Sequence, residues 1–207
     1  MIQAIVLAAG LGTRMGGTKP LAFIDGEPAL ARVLGAIRAA EIGRPILVLA
    51  KLSAEQIAAA VDLAGSAVIV NDQPQAGMGS SLRLGLDAVP RDAAGVLVFH
   101  ADMPFVHPAT IRAVLEAASR GSRIAAPFYR GQRGFPVFFQ RSCLPGLRRS
   151  LTGDAGGRAY IAAHQAELAT VRVDDPGCVH DLDRPDDLIE WKGGRTCATA
   201  ASPKKPS

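Results

Sequence analysis

The chain predicts an α/β protein, a three-layer α/β/α sandwich built on a mostly parallel sheet. Three observations carry that expectation. Short apolar runs alternate with longer amphipathic segments through four strand–helix repeats, the pattern of a parallel sheet covered on both faces. The first apolar run ends directly in a glycine-rich turn, at the strand edge where such sheets take their ligands. The 207 residues, 48% of them apolar, suit one domain with a sizeable core rather than a disordered chain.

The elements follow in order. Residues 3–9 are the first strand, carrying the run Ala4-Ile5-Val6-Leu7. Residues 29–40 have helical spacing, with Leu30, Val33, Leu34 and Ile37 on one face. Pro28 stands at the start of that helix, where a missing N–H costs little. Residues 46–50 are a second strand. Ser53, with Gln56 three residues later, reads as the N-cap of a helix reaching residue 63. Residues 67–70 are a third strand and 79–88 a helix; residues 96–100 are a fourth strand and 108–118 a helix. Residues 124–127 and 136–139 read as two strands around a loop, 156–164 as a short helix and 168–173 as a late strand. Arg184-Pro185 precedes a last helix over 186–191. The domain is thus expected over residues 1–192. From residue 193 the chain turns to Gly, Thr, Ser, Pro and Lys without an apolar face, the composition of a disordered tail.

Composition narrows the function classes. Cys143, Cys178 and Cys197 are scattered, with no C-x-x-C pair, so neither a zinc site nor a disulfide framework is indicated and a cytoplasmic setting is expected. No basic segment precedes an apolar leader, and the apolar stretches are interrupted by Gly, Pro or charge, so neither a signal peptide nor a membrane partner is expected. The net charge of +4 includes Lys204 and Lys205, and aromatics are 5% with no basic run among them. That balance suits an anionic small molecule and not a nucleic acid; most of the charges serve solubility.

Residues 7–19 read Leu-Ala-Ala-Gly-Leu-Gly-Thr-Arg-Met-Gly-Gly-Thr-Lys. Glycines let backbone N–H groups close around a phosphate chain, and Arg14 and Lys19 add full positive charge where a triphosphate would sit. Two better-known phosphate loops do not fit. The dinucleotide fingerprint G-x-G-x-x-G needs a third glycine and an acidic residue ending the second strand; here Met15 and Lys51 occupy those places. The P-loop needs lysine directly after glycine, whereas Thr18 separates Gly17 from Lys19.

His100-Ala101-Asp102-Met103-Pro104 closes the fourth strand, so Asp102 is expected in the same crevice as the glycine turn. Polyphosphate chemistry uses a divalent ion, and Mg²⁺ takes one or two protein carboxylates. Asp102 has that chemistry, although an Asp after a strand also serves as a turn former. In His180-Asp181-Leu182-Asp183-Arg184-Pro185-Asp186-Asp187, alternation puts Asp181 and Asp183 on one face, where one or both complete a metal site. Asp186 and Asp187 read as the cap and first turn of the last helix. His100 is expected to pack at a strand end, and His107 and His164 at the surface or at caps.

Gly77-Met78-Gly79-Ser80-Ser81-Leu82 opens a helix with free N–H groups and hydroxyls. Asn71 and Asp72 lie at the same edge, as turn formers or substrate contacts. The loops at residues 131–137, with Arg133, and 153–158 suit a flexible contact to an anionic ligand. There is no G-x-S-x-G and no cysteine in an activated setting, so transfer without a covalent enzyme intermediate is expected.

Taken together, six strings resemble the MobA-like nucleotidyltransferases, most closely the molybdenum cofactor cytidylyltransferase (MocA-like) branch. They are L-A-A-G-x-G-x-R-M-G-x-x-K-P from Leu7, D-x-P at Asp102, G-x-x-x-S-L-x-x-G-L from Gly77, G-x-x-G-x-P-V from Gly131, G-D-x-G-x-R from Gly153 and the acidic segment from Asp181. The resemblance implies a Rossmann-like sheet of nucleotidyltransferase type. It implies transfer of CMP from CTP to the phosphate of molybdopterin, with Mg²⁺ as cofactor and pyrophosphate released. Arg14, Lys19 and Asp102 would then be catalytic. Leu7, Ala8, Ala9, Gly10 and Gly12 would surround the nucleotide together with Arg14 and Lys19, and Gly79, Ser80 and Ser81 would meet its base. Asp102 with Asp181 or Asp183 would hold the metal. Gly134, Pro136, Gly153, Asp154 and Arg158 would line the acceptor side.

Ala9, where the guanylyl branch has Leu-Ala-Gly-Gly, points to CTP rather than GTP. The chain departs from the family pattern at Arg184, where threonine is usual, and at Phe135, where small polar residues or histidine are common. The alternatives are a guanylyltransferase for the same cofactor, a sugar-1-phosphate nucleotidylyltransferase, and a non-catalytic nucleotide-binding chaperone that hands cofactor to a molybdoenzyme client.

Overall fold

Along the first strand Ala4, Val6 and Ala8 face one way and Ile5 and Leu7 the other, and all five are buried. A strand with no solvated face needs a layer of helices on each side. The computed structural model, which describes residues 1–10, 19–151, 153 and 157–182, supplies both layers.

In chain order the elements are β1 (Ile2–Ala8), a small hairpin of β2 (Phe23–Ile24) and β3 (Glu27–Pro28), α1 (Ala29–Ala39), β4 (Ile46–Ala50), α2 (Lys51–Ala60), β5 (Ala67–Asn71) and α3 (Met78–Asp87). They continue with β6 (Gly95–His100), α4 (Pro108–Ser119), β7 (Ile124–Tyr129), β8 (Gln132–Arg133), β9 (Val137–Gln140), α5 (Leu144–Ser150), α6 (Arg158–Ala163) and β10 (Leu168–Arg172). Among the described residues the main sheet runs β10-β7-β9-β6-β1-β4-β5, with β8 against β7. β1 pairs in parallel with β4 and β6, β4 with β5, and β7 with β10, whereas β9 runs against both β6 and β7. The expected mostly parallel α/β/α sandwich is what forms.

The two sides of the sheet have separate cores. Leu30, Val33 and Ile37 of α1, Ile57 of α2 and Ile111 and Val114 of α4 pack on Val6, Leu47, Leu49 and Phe99. On the opposite face Leu82 and Leu86 of α3, Leu147 of α5 and Ile161 of α6 pack on Ile5, Val48, Val98 and Phe139. Each such fully buried side chain contributes about 1.5–3 kcal/mol of transfer free energy, so the sheet edge that carries the site stands on a firm base.

Several boundaries differ from expectation. β4 passes straight into α2 at Lys51, so Ser53 is the third helical residue rather than the N-cap, and its hydroxyl donates back to Ala50 O at 3.3 Å. The helix expected over 79–88 begins one residue earlier, after Gly77, whose φ of +90° only glycine adopts freely. The short helix expected from residue 156 begins at Arg158. The β2–β3 hairpin and α5 were not expected. The last helix over 186–191 and the tail from 193 lie outside the described residues. Among the described residues no helix is long and apolar enough to cross a membrane.

Candidate functional site

Two neighbouring strand ends build the site. Leu7 of β1 stands opposite His100 of β6, and Ala101 N donates to Leu7 O at 3.0 Å. β4 and β5 extend the sheet to one side of β1 and β6 to the other. The strand order therefore reverses between β1 and β6, which opens a crevice beyond their carboxyl ends. A cavity of about 330 Å³ lies there. Leu7 and Ala8 of β1 line it with Ala9 and Gly10 just beyond, His100 of β6 with Asp102 just beyond, and Ser81 of α3, together with Lys19.

Lys19 Nζ lies 3.5 Å from Asp102 Oδ2, with the two side chains 15% and 25% exposed. A half-open pair of this kind adds about 0–1 kcal/mol to stability; what it provides is a cation and an anion held at one rim. His100 Nδ1 is 4.0 Å from Asp102 Oδ1, and its ring meets Phe135 at 4.2 Å between centroids. Burial pulls the His100 pKa down, against the opposing fields of Asp102 and Asp181, so the imidazole is neutral at physiological pH.

A strap returns to this rim from the end of β10. Leu182 N donates to Asp102 O at 2.8 Å, which brings the exposed Asp181 to the same edge. The strap is pinned further back. Asp175 is 8% exposed; its Oδ2 accepts from His107 N at 2.9 Å and Thr110 Oγ1 at 2.6 Å, and its Oδ1 from Gly177 N at 2.9 Å. Gly177 passes so close to the loop before α4 that a Cβ would sit 2.0 Å from Phe105 O. Phe135 N donates to Cys178 O at 2.8 Å, which joins the strap to the loop before β9. Sequence reasoning missed Asp175, two of whose three partners lie 65 and 68 residues away.

Other expected site residues divide into two groups. Gly79 is buried beside the cavity and Ser80 half-buried; both serine hydroxyls meet the buried Asn71 amide at 2.9 Å. On the other side of His100, Gly134 and Pro136 are buried, with Gly134 against Cys178, while Gly153 and Arg158 are exposed. Neither Gly134, Pro136, Gly153 nor Arg158 lines the cavity. Arg133 is half-buried, and burial with the nearby Arg158 charge lowers its pKa. His107 caps α4 through Nδ1, which accepts from Ala109 N at 3.3 Å, and His164 follows α6 with its ring stacked on Tyr160. Asp72 is exposed and pairs with Lys51 at 3.2 Å. Gly12, Arg14, Asp154 and Asp183 lie outside the described residues.

Among the described residues no three His, Cys, Asp or Glu side chains form a closed metal site. Asp102 and Asp181 offer carboxylate oxygens only, the donor type a hard cation such as Mg²⁺ takes while keeping water and phosphate in its remaining positions.

Residues 4–168 match the MobA-like NTP transferase domain. Over nearly its whole length the chain resembles the solved structure of Rv0371c from Mycobacterium tuberculosis H37Rv, with 31% identity, a TM-score of 0.82 and coverage of 92% of this chain and 97% of that one. The same mycobacterial protein has been solved in complex with manganese. Bifunctional protein GlmU of Bordetella parapertussis is 32% identical over 143 residues, 65% of this chain but 30% of that protein; the chain thus spans under a third of that relative. Nicotine blue oxidoreductase of Paenarthrobacter nicotinovorans is 25% identical over 88% of this chain and 92% of that protein. The chain belongs to the family of MobA-like NTP transferase domains.

Proposed function

We propose that this MobA-like protein moves a nucleoside monophosphate, CMP from CTP, onto the phosphate of a molybdopterin-type acceptor and releases pyrophosphate. The observation that carries the reading is the meeting of Lys19 and Asp102, 3.5 Å apart, at the mouth of a cavity floored by the end of β1. A phosphate-seeking cation beside a metal-seeking carboxylate, at a sheet's switch point, is the pairing that polyphosphate chemistry requires.

An acceptor phosphate is already ionised near neutral pH, so no general base is needed. One of its oxygens attacks the α-phosphorus in line; the new P–O bond forms as the bond to the β-phosphate bridge breaks, and pyrophosphate leaves. Lys19, Arg14 and the backbone N–H groups after β1 hold the negative charge that gathers on the phosphates, so positioning and electrostatics supply most of the acceleration. Asp102, with Asp181 or Asp183, would hold Mg²⁺. The manganese complex of the mycobacterial relative supports a divalent ion. When bound, such an ion neutralises phosphate charge and polarises the phosphorus. The side of the site beyond His100, with Arg133 and Arg158, would face the acceptor.

Pyrophosphate release tests the reading. CTP, GTP, ATP and UTP are each supplied with Mg²⁺ and molybdopterin, and release is expected with CTP. Preference for GTP would move the protein to the guanylyl reading. Release with a sugar 1-phosphate in place of molybdopterin would change the acceptor class. Tight binding of nucleotide and cofactor without release would identify a chaperone serving a molybdoenzyme.

A further inference from the structure

Asn71 ends β5 and is 2% exposed. A partner that can only donate fixes the orientation of its amide. Gln73 N donates to Asn71 Oδ1 at 2.9 Å, so Nδ2 faces the other way and donates to Ser80 Oγ and Ser81 Oγ, each at 2.9 Å. A hydroxyl that accepts from the amide must send its own proton elsewhere. Ser80 sends its proton to Gly77 O at 2.8 Å. Ser81 has no acceptor among the described residues. It is 5% exposed and lines the cavity. One amide therefore ties together both ends of the segment from Gln73 to Ser81, and it leaves one hydroxyl proton directed at the cleft.

The surroundings of that proton decide what it meets. Pro74, Gln75, Gly77 and Met78 line the cavity along with it, as do Lys19 and Asp102 of the rim. This stretch of wall offers neutral polar groups, the Ser81 hydroxyl and the Gln75 amide, beside the apolar surfaces of Pro74 and Met78, which suits the edge of a flat heterocycle better than a phosphate dianion, whose binding calls for charge. We propose that Asn71 is a positioning residue that sets the hydrogen-bond polarity of this wall, so that Ser81 donates to an acceptor atom on the nucleobase edge. The inference rests on the nucleotide reading given above.

Calorimetric titration tests it with the four nucleoside triphosphates and with inorganic tripolyphosphate, which has no base. Asn71→Asp keeps the acceptor for Gln73 N but draws both serine protons to the new carboxylate, leaving Ser81 to present lone pairs. Ser81→Ala removes the donor and replaces it with a good helix former, so the fold is retained. Each variant is expected to weaken the preferred triphosphate about tenfold, the worth of one hydrogen bond, and to shrink selectivity among the four bases by the same factor. Tripolyphosphate affinity is expected to stay unchanged, and the double variant to be no weaker than Ser81→Ala alone. Wild-type base selectivity in Ser81→Ala, or an equal loss for tripolyphosphate, would overturn the inference. Failure of the unsubstituted protein to bind any triphosphate would overturn the nucleotide reading and this inference together, and it shows itself before any substitution is made.

Discussion

The mouth of the cavity and the strap that closes on it treat their carboxylates in opposite ways. Asp102 at the mouth is a quarter exposed, and among the described residues its carboxylate meets Lys19 at 3.5 Å and His100 at 4.0 Å. Asp175 in the strap is buried and accepts three hydrogen bonds of 2.6–2.9 Å, two of them from residues opening α4. A carboxylate whose lone pairs are engaged by rigid donors has nothing left for a ligand, and its contribution is to stability. A partly exposed carboxylate with spare lone pairs beside a cation contributes little to stability and can take a ligand.

The contrast can be broken at four points. Asp102→Ala is expected to lower turnover by about a thousandfold or more, about 4 kcal/mol of transition-state stabilisation. The midpoint of urea unfolding should stay nearly unchanged. A large loss of stability with retained pyrophosphate release would reverse the roles drawn here. Asp175→Ala should do the opposite. Three donors lose their partner, and unfolding free energy should fall by about 3 kcal/mol; chemical denaturation measures it.

Lys19→Ala is expected to reduce kcat/KM by about a hundredfold, near 2.7 kcal/mol, with unfolding again little affected. The smallest effect concerns Cys178, just behind Asp175. Burial, aided by the charge of Asp175, pushes its thiol pKa up to about 12. The folded state thus holds this proton longer than the unfolded chain, whose thiol titrates near the ordinary value of 9.0. Its contribution is complete below pH 9 and is lost as the pH rises from there toward 12. Iodoacetamide at pH 8 should leave Cys178 unmodified in native protein and label it after unfolding; rapid native labelling would show that the strap opens.

Much of this was legible in the chain. The strands and larger helices announce themselves through periodicity, and Leu30, Val33, Leu34 and Ile37 are buried together as their spacing requires. Asp102 was legible because it stands just after a strand, and a parallel sheet brings such ends to one edge; Lys19 was legible because it closes the glycine-rich string that follows the first strand. The β2–β3 hairpin was not, since two-residue strands carry no period. α5 was hidden by Pro145 and Gly146, which read as breakers. Proline is tolerated in the first turn of this helix, and a Cβ on Gly146 would lie 2.8 Å from the Tyr160 ring. The role of Asp175 depends on contacts 65 and 68 residues away along the chain, beyond the reach of any local pattern.

The reversal of β9 has a consequence for how this architecture diversifies. Because β9 runs against β7, the connection between them needs no crossover helix and turns at the same rim as His100, where Val137 pairs with Val98. Insertions at such a turn add little closure entropy and disturb no ladder in the β5-β4-β1-β6 half. The residue 130–136 bend can therefore change length while the β5-β4-β1-β6 half, whose strand ends floor the cavity, stays in place.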